Sequence, residues 1–521
     1  MPQRYGRSTW GTLLANSALL VTLALSSACA TIDFDAPKAE SYAFTDTADT
    51  LLAERTSEFD IGEPGTSGFK MIIDGIEALG ARMRLALRAE RSIDMQYYLI
   101  HGDTAGAMLL DELVEAADRG VRVRILVDDV LTKGTDRALS TLDAHQNIQV
   151  RVFNPFSNRM FRSLNFLTDF DRVNRRMHNK VFIADNLVAV VGGRNIGDEY
   201  FAAREDFNFG DLDAVALGPV VNELSAMFDL YWNHRLAVPV YQAIGPPKNP
   251  EQALAAGRER LDKRMGELRG SRYGHLIEDY VEYRYIDPVE FSWVPYDLVY
   301  DSPDKAETAP NPDAASIRIP LREAVMDARR ELIVLSPYFV PTERMFEGFR
   351  VLRDRGVEVY VITNSLSANN HGAVHAGYAP WRKKLLEIGV QLFEVRRDAQ
   401  ATGVDQSGMA ESGGTLHTKA FVVDRQIFFL GSFNWDPRSA YINTEMGLIL
   451  QAPEFGEEAY ERMEAALDTH TYRLVLADDG GLRWVTYDDG ERVVYNKEPE
   501  TSWWRRFVVG FIGIFPVDGQ L

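Results

Sequence analysis

The chain has 521 residues, of which 46% are hydrophobic and 25% are charged, a composition typical of a folded protein with more than one domain. Its formal net charge of −20 disfavours nucleic acid as a partner, because a polyanion is repelled by a field of that sign. The single cysteine, Cys29, excludes an intramolecular disulfide and a zinc site built from cysteine clusters. No feature of the sequence predicts a protein partner.

The N-terminus has the pattern of an export signal. Arg4 and Arg7 precede an uncharged run over residues 13–25, which is short for a helix that spans a bilayer. We expect residues 1–28 to be a signal peptide. Cys29 directly after small residues favours a bacterial lipoprotein anchored on the periplasmic side of the envelope, and ordinary cleavage at the small residues 28–30 is the alternative.

The body of the chain contains an internal duplication. After an acidic segment over residues 29–68, interpreted as a flexible tether, a helical pattern over 105–118 is followed by a strand pattern over 121–127. The same succession recurs over 345–354 and 357–362. We predict a first domain over 69–238, a connector over 239–312 and a second domain over 313–470.

The C-terminal extension over 471–521 ends in an apolar, tryptophan-rich tail. Trp503, Trp504, Arg505 and Arg506 lead into an apolar run over 507–515 that is too short to cross a bilayer. Such a composition suits the membrane interface, and it equally suits a terminal helix packed on the domain. The sequence leaves both interpretations open.

The residues that carry chemistry occur twice with one spacing. Counted from a histidine, a lysine follows at +2, an aspartate at +7, an asparagine at +17 and a second acid at +28. The first copy consists of His178, Lys180, Asp185, Asn195 and Asp206. The second copy consists of His417, Lys419, Asp424, Asn434 and Glu445. A match at this many positions is a strong motif signal.

Each copy reads as a β-hairpin. Residues 180–184 and 187–191 have the pattern of two apolar strands joined by a turn at Asp185, and the second copy has its turn at Asp424. We therefore expect these two aspartates to be structural. Side chains two apart on a strand share a face, so His178 and Lys180 should point together.

Phosphoryl transfer through a covalent intermediate needs both a nucleophile and an acid, and each copy supplies only one histidine. This predicts that the two copies share one site.

These residues resemble the phospholipase D superfamily, whose signature is a duplicated H-x-K-x4-D motif followed by G-[GS]-x-N. The resemblance covers most of residues 69–470. It implies an α/β fold of two α/β/α sandwich domains related by pseudo-twofold symmetry and sharing one active site. It also implies phosphodiester chemistry that needs no metal and no cofactor.

The resemblance also implies a role for each residue of the motif. One histidine, which we expect to be His178, attacks phosphorus, and His417 protonates the departing oxygen. The non-bridging oxygens would be held by Lys180, Lys419, Asn195, Asn434 and Ser432. Asp206 and Glu445 would accept the proton on the far nitrogen of each ring. Gly193 stands where the second copy has serine, so the predicted site is not fully symmetric.

The substrate is predicted from the surroundings of the first motif. Residues 151–180 contain seven basic and two acidic residues with interleaved phenylalanines, a pattern that favours an anionic lipid headgroup over a long polyanion. Four further stretches resemble bacterial cardiolipin synthases, in particular their C branch: residues 94–98, 174–180, 374–378 and 431–439. The candidate substrate-binding residues are Arg175, Arg176, His375 and Tyr378.

That resemblance implies a membrane-associated phosphatidyltransferase that acts on phospholipids through a phosphohistidine and transfers a phosphatidyl group onto phosphatidylglycerol. Water competes with the acceptor alcohol for such an intermediate, so a phospholipase D hydrolase that releases phosphatidic acid is the nearest alternative. A secreted phosphodiesterase or nuclease of the same superfamily is the second alternative.

Overall fold

The computed structural model describes residues 32–57, 59, 62–130, 135–159, 162–283, 291–311, 314–369, 371–397 and 413–513. The predicted signal peptide and Cys29 lie outside them. The strands are β1 Thr66–Ile72, β2 Ser92–Tyr97, β3 Arg122–Asp128, β4 Ile148–Phe153, β5 Val181–Ala184, β6 Val188–Gly192, β7 Phe207–Gly210, β8 Asp213–Leu217, β9 Ala237–Pro239, β10 Ser292–Tyr300, β11 Glu331–Leu335, β12 Glu358–Asn364, β13 Gln391–Val395, β14 Gly413–Leu416, β15 Ala420–Val423, β16 Ile427–Gly431, β17 Met446–Gln451, β18 Thr471–Leu476, β19 Leu482–Asp488 and β20 Glu491–Tyr495.

The α-helices are α1 Leu51–Ser57, α2 Gly75–Arg88, α3 Thr104–Asp118, α4 Asp136–Leu142, α5 Arg162–Thr168, α6 Phe170–Val173, α7 Pro219–Asn233, α8 Val240–Ala243, α9 Pro250–Arg269, α10 Arg272–Tyr283, α11 Arg318–Met326, α12 Glu343–Asp354, α13 Gly372–Tyr378, α14 Arg382–Glu387, α15 Pro437–Tyr441, α16 Pro453–His470 and α17 Trp503–Ile512. Within the described part of the chain, no helix combines the length and the apolar character needed to cross a membrane.

Two sheets with the same strand order form the centre of the molecule. The first runs β1, β8, β6, β5, β2, β3, β4, β9. The second runs β10, β17, β16, β15, β11, β12, β13, β18 and continues into β19 and β20. In each sheet the three strands β2–β4 or β11–β13 are parallel. Antiparallel pairing of β1 with β10 joins the two sheets. This repetition confirms the predicted duplication and the α/β fold class.

The same local signals produce corresponding elements in both halves. Asp103 caps α3 by accepting a hydrogen bond from the Gly106 amide, and Thr342 caps α12 in the same way. Gly120 and Gly356 follow these helices with φ of +99° and +83°, a backbone region that glycine enters without steric cost. The helix and strand predicted on each side of both glycines are therefore confirmed.

The apolar core is arranged in three layers. A central cluster of buried side chains lies between the sheets and contains residues of both halves together with the inner faces of α7 and α16. An outer cluster packs α2 and α3 on the first sheet, and another packs α12 on the second. Because the halves share the central layer, the edges that carry the two motifs are held against each other.

The described residues correct the two predicted domain boundaries. The prediction of a flexible tether is wrong for residues 32–57, because Ser41 accepts hydrogen bonds from the buried side chains of Arg124 (2.8 Å) and Trp232 (2.9 Å). The prediction that the second half begins at 313 is also wrong. Strand β10 lies inside the predicted connector, yet its pairing with β17 makes it the first strand of the second sheet.

Candidate active site

Each histidine-lysine pair stands directly before the first strand of a hairpin. His178 and Lys180 precede β5, and His417 and Lys419 precede β15. The Lys180 ammonium donates to the backbone carbonyl of His178. The Lys419 ammonium donates to the His417 carbonyl and lies 2.9 Å from the Nδ1 atom of that ring. The pairs thus lie together, as the alternation of side chains along a strand predicts.

Backbone hydrogen bonds between the halves bring both histidines to one place. The His178 amide donates to the Thr444 carbonyl of the second half (2.9 Å). The His417 amide donates to the Gly210 carbonyl of the first half (2.7 Å). Parallel pairing of β7 with β14 extends the second contact. Each histidine is therefore held by a segment of the opposite half, and both rings belong to one shared site.

The carboxylate that orients each imidazole also comes from the opposite half. The Nδ1 atom of His178 lies 2.9 Å from an Oε of Glu445, and the Nδ1 atom of His417 lies 2.5 Å from an Oδ of Asp211. All four side chains are buried. With the Nδ1 proton donated to a carboxylate, the Nε2 atom of each ring keeps its lone pair for chemistry.

The prediction of Asp206 as an orienting carboxylate is wrong. Asp206 is exposed and pairs with Arg204 at 2.9 Å. Met177 bridges Thr444, and its counterpart Leu416 pairs with Gly210, so the residues that follow, Glu445 and Asp211, correspond in space. Equal counting from the histidines failed because Asp211 follows its asparagine by 16 residues and Glu445 follows its asparagine by 11.

Ser432 and Gly193 occupy corresponding positions in the two halves, and the space beside the backbone is filled differently at each. The Ser432 hydroxyl donates to Glu445 and so orients that carboxylate, and its role of holding a phosphate oxygen stays a prediction. A Cβ atom on Gly193 would lie 2.2 Å from an Oδ of Asp211, far inside van der Waals contact. The space that the serine fills in one half is therefore occupied by the carboxylate in the other.

Burial governs the protonation of the site. Burial, reinforced by the two nearby ammonium groups, lowers the pKa of His178 to about 4, against the opposing effect of Glu445. The same causes, burial first and then Lys419, lower the pKa of His417 to about 3. Burial raises the pKa values of Asp211 and Glu445, but the hydrogen-bonded histidine and the neighbouring lysine outweigh it in each case, so both pKa values are lowered. At neutral pH the site therefore holds neutral imidazoles and ionised carboxylates.

Both lysines carry a desolvation cost that an anion would relieve. Burial lowers the pKa of Lys180 well below its ordinary value and lowers that of Lys419 as well. Each ammonium also lowers the pKa of the histidine in the opposite half. A phosphodiester anion bound among these groups would favour their charged forms, including that of one imidazole.

Several buried polar atoms in the site have no partner within the described residues. They include the Oδ1 atoms of Asn195 and Asn434 and the Nε and Nη2 atoms of Arg176. The Asn195 amide nitrogen donates to the Tyr200 hydroxyl at 2.9 Å. An unsatisfied buried polar group is costly, so a polar ligand that met these atoms would remove that cost.

Aromatic side chains form the walls of the site. The ring of Tyr98 meets the His178 ring edge-on with 4.9 Å between centroids, and Tyr200 meets His417 in the same way at 5.1 Å. Phe209 lies 4.8 Å from the His417 ring. Sequence reasoning assigned none of them a role, although Tyr98 ends the 94–98 stretch that carries part of the family resemblance.

The two turn aspartates lie away from the reacting groups. The Asp185 carboxylate accepts hydrogen bonds from the amides of residues 90–92, and the Asp424 carboxylate accepts them from residues 329–331. Both residues have positive φ, at +51° and +53°. Each therefore joins its hairpin to the strand beside it.

The predicted substrate-binding residues have different surroundings. His375 is buried against Glu498 (3.2 Å), and Tyr378 packs on Phe339 (5.8 Å between centroids), so their predicted role in substrate binding stays a prediction. Both lie on α13, whose inner face belongs to the core. Arg176 is buried beside Asp128 (3.3 Å) with its two unpartnered donor atoms, and Arg175 is half-buried, so their substrate role stays a prediction.

The basic segment over 151–180 is less available to anions than its composition indicates. Arg159 pairs with Asp129 (2.7 Å), and Arg172 pairs with Asp169 (2.6 Å). Arg151 is buried and donates to the Trp232 carbonyl. These three charges therefore serve the fold, so the net charge of the segment overstates its capacity for anion binding.

Comparison with known proteins places the same residues in a repeated domain. The family model described as "Cardiolipin synthase, PLD-like domain" matches residues 83–232 and 321–467. The chain is 39% identical over 465 residues to cardiolipin synthase C of Escherichia coli (strain K12), covering 88% of this chain and 97% of that protein. It is 25% identical over 418 residues to cardiolipin synthase A of Pseudomonas entomophila (strain L48), covering 79% of this chain and 70% of that protein.

A solved structure shares the architecture at low sequence identity. The crystal structure of phosphatidylserine synthase from Haemophilus influenzae Rd KW20 matches with a TM-score of 0.54 and 14% identity. The match covers 81% of this chain and 92% of that one. It confirms the fold.

Proposed function

Because the chain belongs to the cardiolipin synthase family of phospholipase D-like proteins, we propose that it transfers a phosphatidyl group from a phospholipid donor onto the primary hydroxyl of phosphatidylglycerol. The observation that carries this mechanism is the exchange of carboxylates between the halves. Each imidazole receives its Nδ1 partner from the opposite half, and both Nε2 atoms remain for one phosphorus.

In the first step the His178 Nε2 lone pair attacks phosphorus, and the bond from phosphorus to the oxygen of the leaving alcohol breaks. His417, protonated when the phosphodiester anion is bound, gives its Nε2 proton to that oxygen. Lys180 and Lys419 stabilise the negative charge on the non-bridging oxygens, together with the Asn195 and Asn434 amides. The product is a phosphatidyl group bound to His178.

In the second step the acceptor hydroxyl attacks the same phosphorus. Its proton passes to the neutral His417, the phosphorus–nitrogen bond breaks, and His178 is restored. Glu445 and Asp211 hold the tautomers throughout and stabilise whichever imidazole is cationic. Water in place of the alcohol would give phosphatidic acid, so exclusion of water decides between transfer and hydrolysis.

The test uses the purified full-length chain with vesicles of phosphatidylglycerol, with and without phosphatidylethanolamine, followed by mass spectrometry of the lipids. Cardiolipin is the expected product. Phosphatidic acid alone would establish a hydrolase instead, and the absence of both lipids would contradict either activity. Cleavage of bis(p-nitrophenyl) phosphate or DNA without any lipid product would favour a phosphodiesterase or nuclease.

The histidine variants test the shared site in the same assay. His178→Ala and His417→Ala should each lower the turnover by roughly 10²–10⁴-fold, since each removes a nucleophile or an acid. His275→Ala is the control, because that histidine is 65% exposed on α10. Full turnover in either catalytic variant would contradict the mechanism. A phosphorylated His178 that accumulates with a slowly departing donor would support the assignment of the nucleophile.

We also propose that the chain is exported and anchored through a lipid on Cys29, so that it acts at the periplasmic side of the envelope. The support is the sequence pattern of residues 1–29. Labelling cells with a fatty acid should mark the wild-type chain and leave Cys29→Ser unmarked. Equal labelling of both chains would contradict the anchor.

A further inference from the structure

We propose that two exposed apolar patches, one attached to each half of the active site, dock the protein on the surface of a phospholipid bilayer. The first patch lies on α5 and α6 and consists of Leu164, Phe166, Leu167 and Phe170. The second patch lies on α17 and consists of Trp503, Trp504, Phe507 and Phe511. This proposal rests on the proposed function, because an enzyme that acts on phospholipids needs access to a bilayer.

Apolar exposure is concentrated in these two short segments. Among the described residues, eight of the eighteen exposed large hydrophobic side chains belong to them. Leu167 is 83% exposed and Trp503 is 68% exposed. Single exposed apolar residues are ordinary, whereas clustered ones on a soluble surface mark a binding face.

The aromatic rings of the first patch form a continuous row that packs on the buried ring of Phe156. Phe166 lies between Phe156 and Phe170, with ring centroids 5.7 Å and 6.4 Å away. Phe156 is buried and lies under the guanidinium of Arg176, 5.0 Å from it. The patch therefore rests on the segment that supplies His178.

The second patch is the outer face of an anchored helix. Ser502 caps α17 by accepting a hydrogen bond from the Arg505 amide. Val509, on the opposite face, packs with Leu366 and Ala376. The helix is thus packed on the domain by one face and presents aromatic rings on the other, so the two interpretations of the C-terminal sequence describe two faces of one helix.

Each patch is connected to one catalytic histidine by short paths. Asn174, directly after α6 and four residues before His178, accepts hydrogen bonds from Arg438 of the second half. Arg505 donates to the Asn369 carbonyl (2.8 Å) in the loop that follows β12. That loop is bonded to β14, which ends one residue before His417. Each patch therefore belongs to a segment that is linked to one catalytic histidine through the chain or through hydrogen bonds.

The composition of the patches fits a lipid interface. Tryptophan and phenylalanine beside arginine are the side chains that partition into the headgroup region, where rings meet acyl chains and guanidinium groups meet phosphates. Arg505 and Arg506 donate to neutral oxygens, namely the Asn369 carbonyl and the carbonyl and hydroxyl of Thr501. Their charge therefore complements anionic phospholipids.

The experiment measures sedimentation of the full-length chain with vesicles of phosphatidylglycerol and phosphatidylcholine. Leu167→Ser and the double variant Trp504→Ala with Phe511→Ala should each weaken binding by about tenfold or more, because each removes buried apolar area from the lipid contact. Tyr241→Ala is the matched control, with an aromatic ring 47% exposed outside both patches. All proteins carry the same N-terminus, so differences report the patches alone.

Two outcomes would overturn the proposal. One is wild-type vesicle binding in both patch variants. The other is a wild-type dimer in lipid-free solution that becomes monomeric in the patch variants, since the occupant would then be a second copy of the chain. Failure of docking can be distinguished from failure of catalysis. His417→Ala should bind vesicles normally, and the patch variants should retain turnover on donor lipid presented in detergent micelles.

Discussion

The two halves of the active site reach one arrangement with different side chains. Around His417 the orienting carboxylate is Asp211 of the first half, and the position beside that carboxylate is Gly193. Around His178 the carboxylate is Glu445, which receives a hydrogen bond from Ser432. The comparison teaches that the position of the carboxylate in space is retained in the two halves, although the side-chain length and the sequence spacing are not.

The largest effect on turnover is expected from removing the carboxylate that orients His417, and it distinguishes Asp211 from Asp206. Asp211→Asn should lower the turnover number about a hundredfold or more, because the amide can no longer stabilise a cationic His417. Glu445→Gln should do the same for His178. Asp206→Asn is the matched control and should leave turnover unchanged, since its exposed carboxylate pairs with Arg204. If Asp206→Asn were as damaging as Asp211→Asn, the assignment would be wrong.

Smaller effects on turnover and on the free energy of unfolding are expected from substitutions at Gly193 and Ser432. Gly193→Ser and Gly193→Ala should both displace Asp211, with about a tenfold loss of turnover and a cost of about 1–3 kcal/mol in the free energy of unfolding. Ser432→Gly removes the hydrogen bond that the hydroxyl donates to Glu445 and the one it accepts from the Met446 amide, and it should cost about 1 kcal/mol for each with a smaller loss of turnover. Urea unfolding and steady-state kinetics measure both. Wild-type behaviour of Gly193→Ser would show that the halves are interchangeable at this position.

The smallest expected effect is a dependence of stability on pH. The folded chain keeps His178 neutral down to its pKa of about 4, whereas the unfolded chain takes up that proton near 6.5. Stability should therefore fall with decreasing pH between these values, by up to about 1.4 kcal/mol per pH unit for this histidine. For His417 the fall should extend to about pH 3.

Urea unfolding of the wild type, His178→Asn and His417→Asn at several values between pH 7 and pH 4 measures these slopes. Each variant should show a shallower slope than the wild type, and the control His275→Asn should match the wild type. Identical slopes in all four proteins would mean that neither catalytic histidine is held neutral by the fold.

The family and the reacting groups were accessible from the sequence because they depend on local patterns. A spacing of +2 directly before a strand predicts that His178 and Lys180 lie together, and the structure places them so. The turn role of Asp185 follows from a tight hairpin, where a short polar side chain tolerates positive φ and satisfies nearby amides. Repetition of the pattern in a second copy then indicated a shared site.

The sequence misled where a position depends on contacts between the halves. Equal counting selected Asp206, because counting carries no information about the five additional residues that precede Asp211. Aligning the copies on the strands β8 and β17 instead of on the histidines would have brought Asp211 into view.

The sequence by itself determined the duplicated α/β body, the two histidine-lysine pairs and the class of chemistry, since these follow from local spacing and side-chain type. Only the tertiary structure decided which carboxylate serves which imidazole, why one half needs glycine where the other has serine, and which face of α17 meets solvent. All three properties arise from tertiary contacts, and the carboxylate–imidazole pairs join residues 206 and 267 positions apart. The spacing of residues along the chain does not specify which surfaces pack closely together.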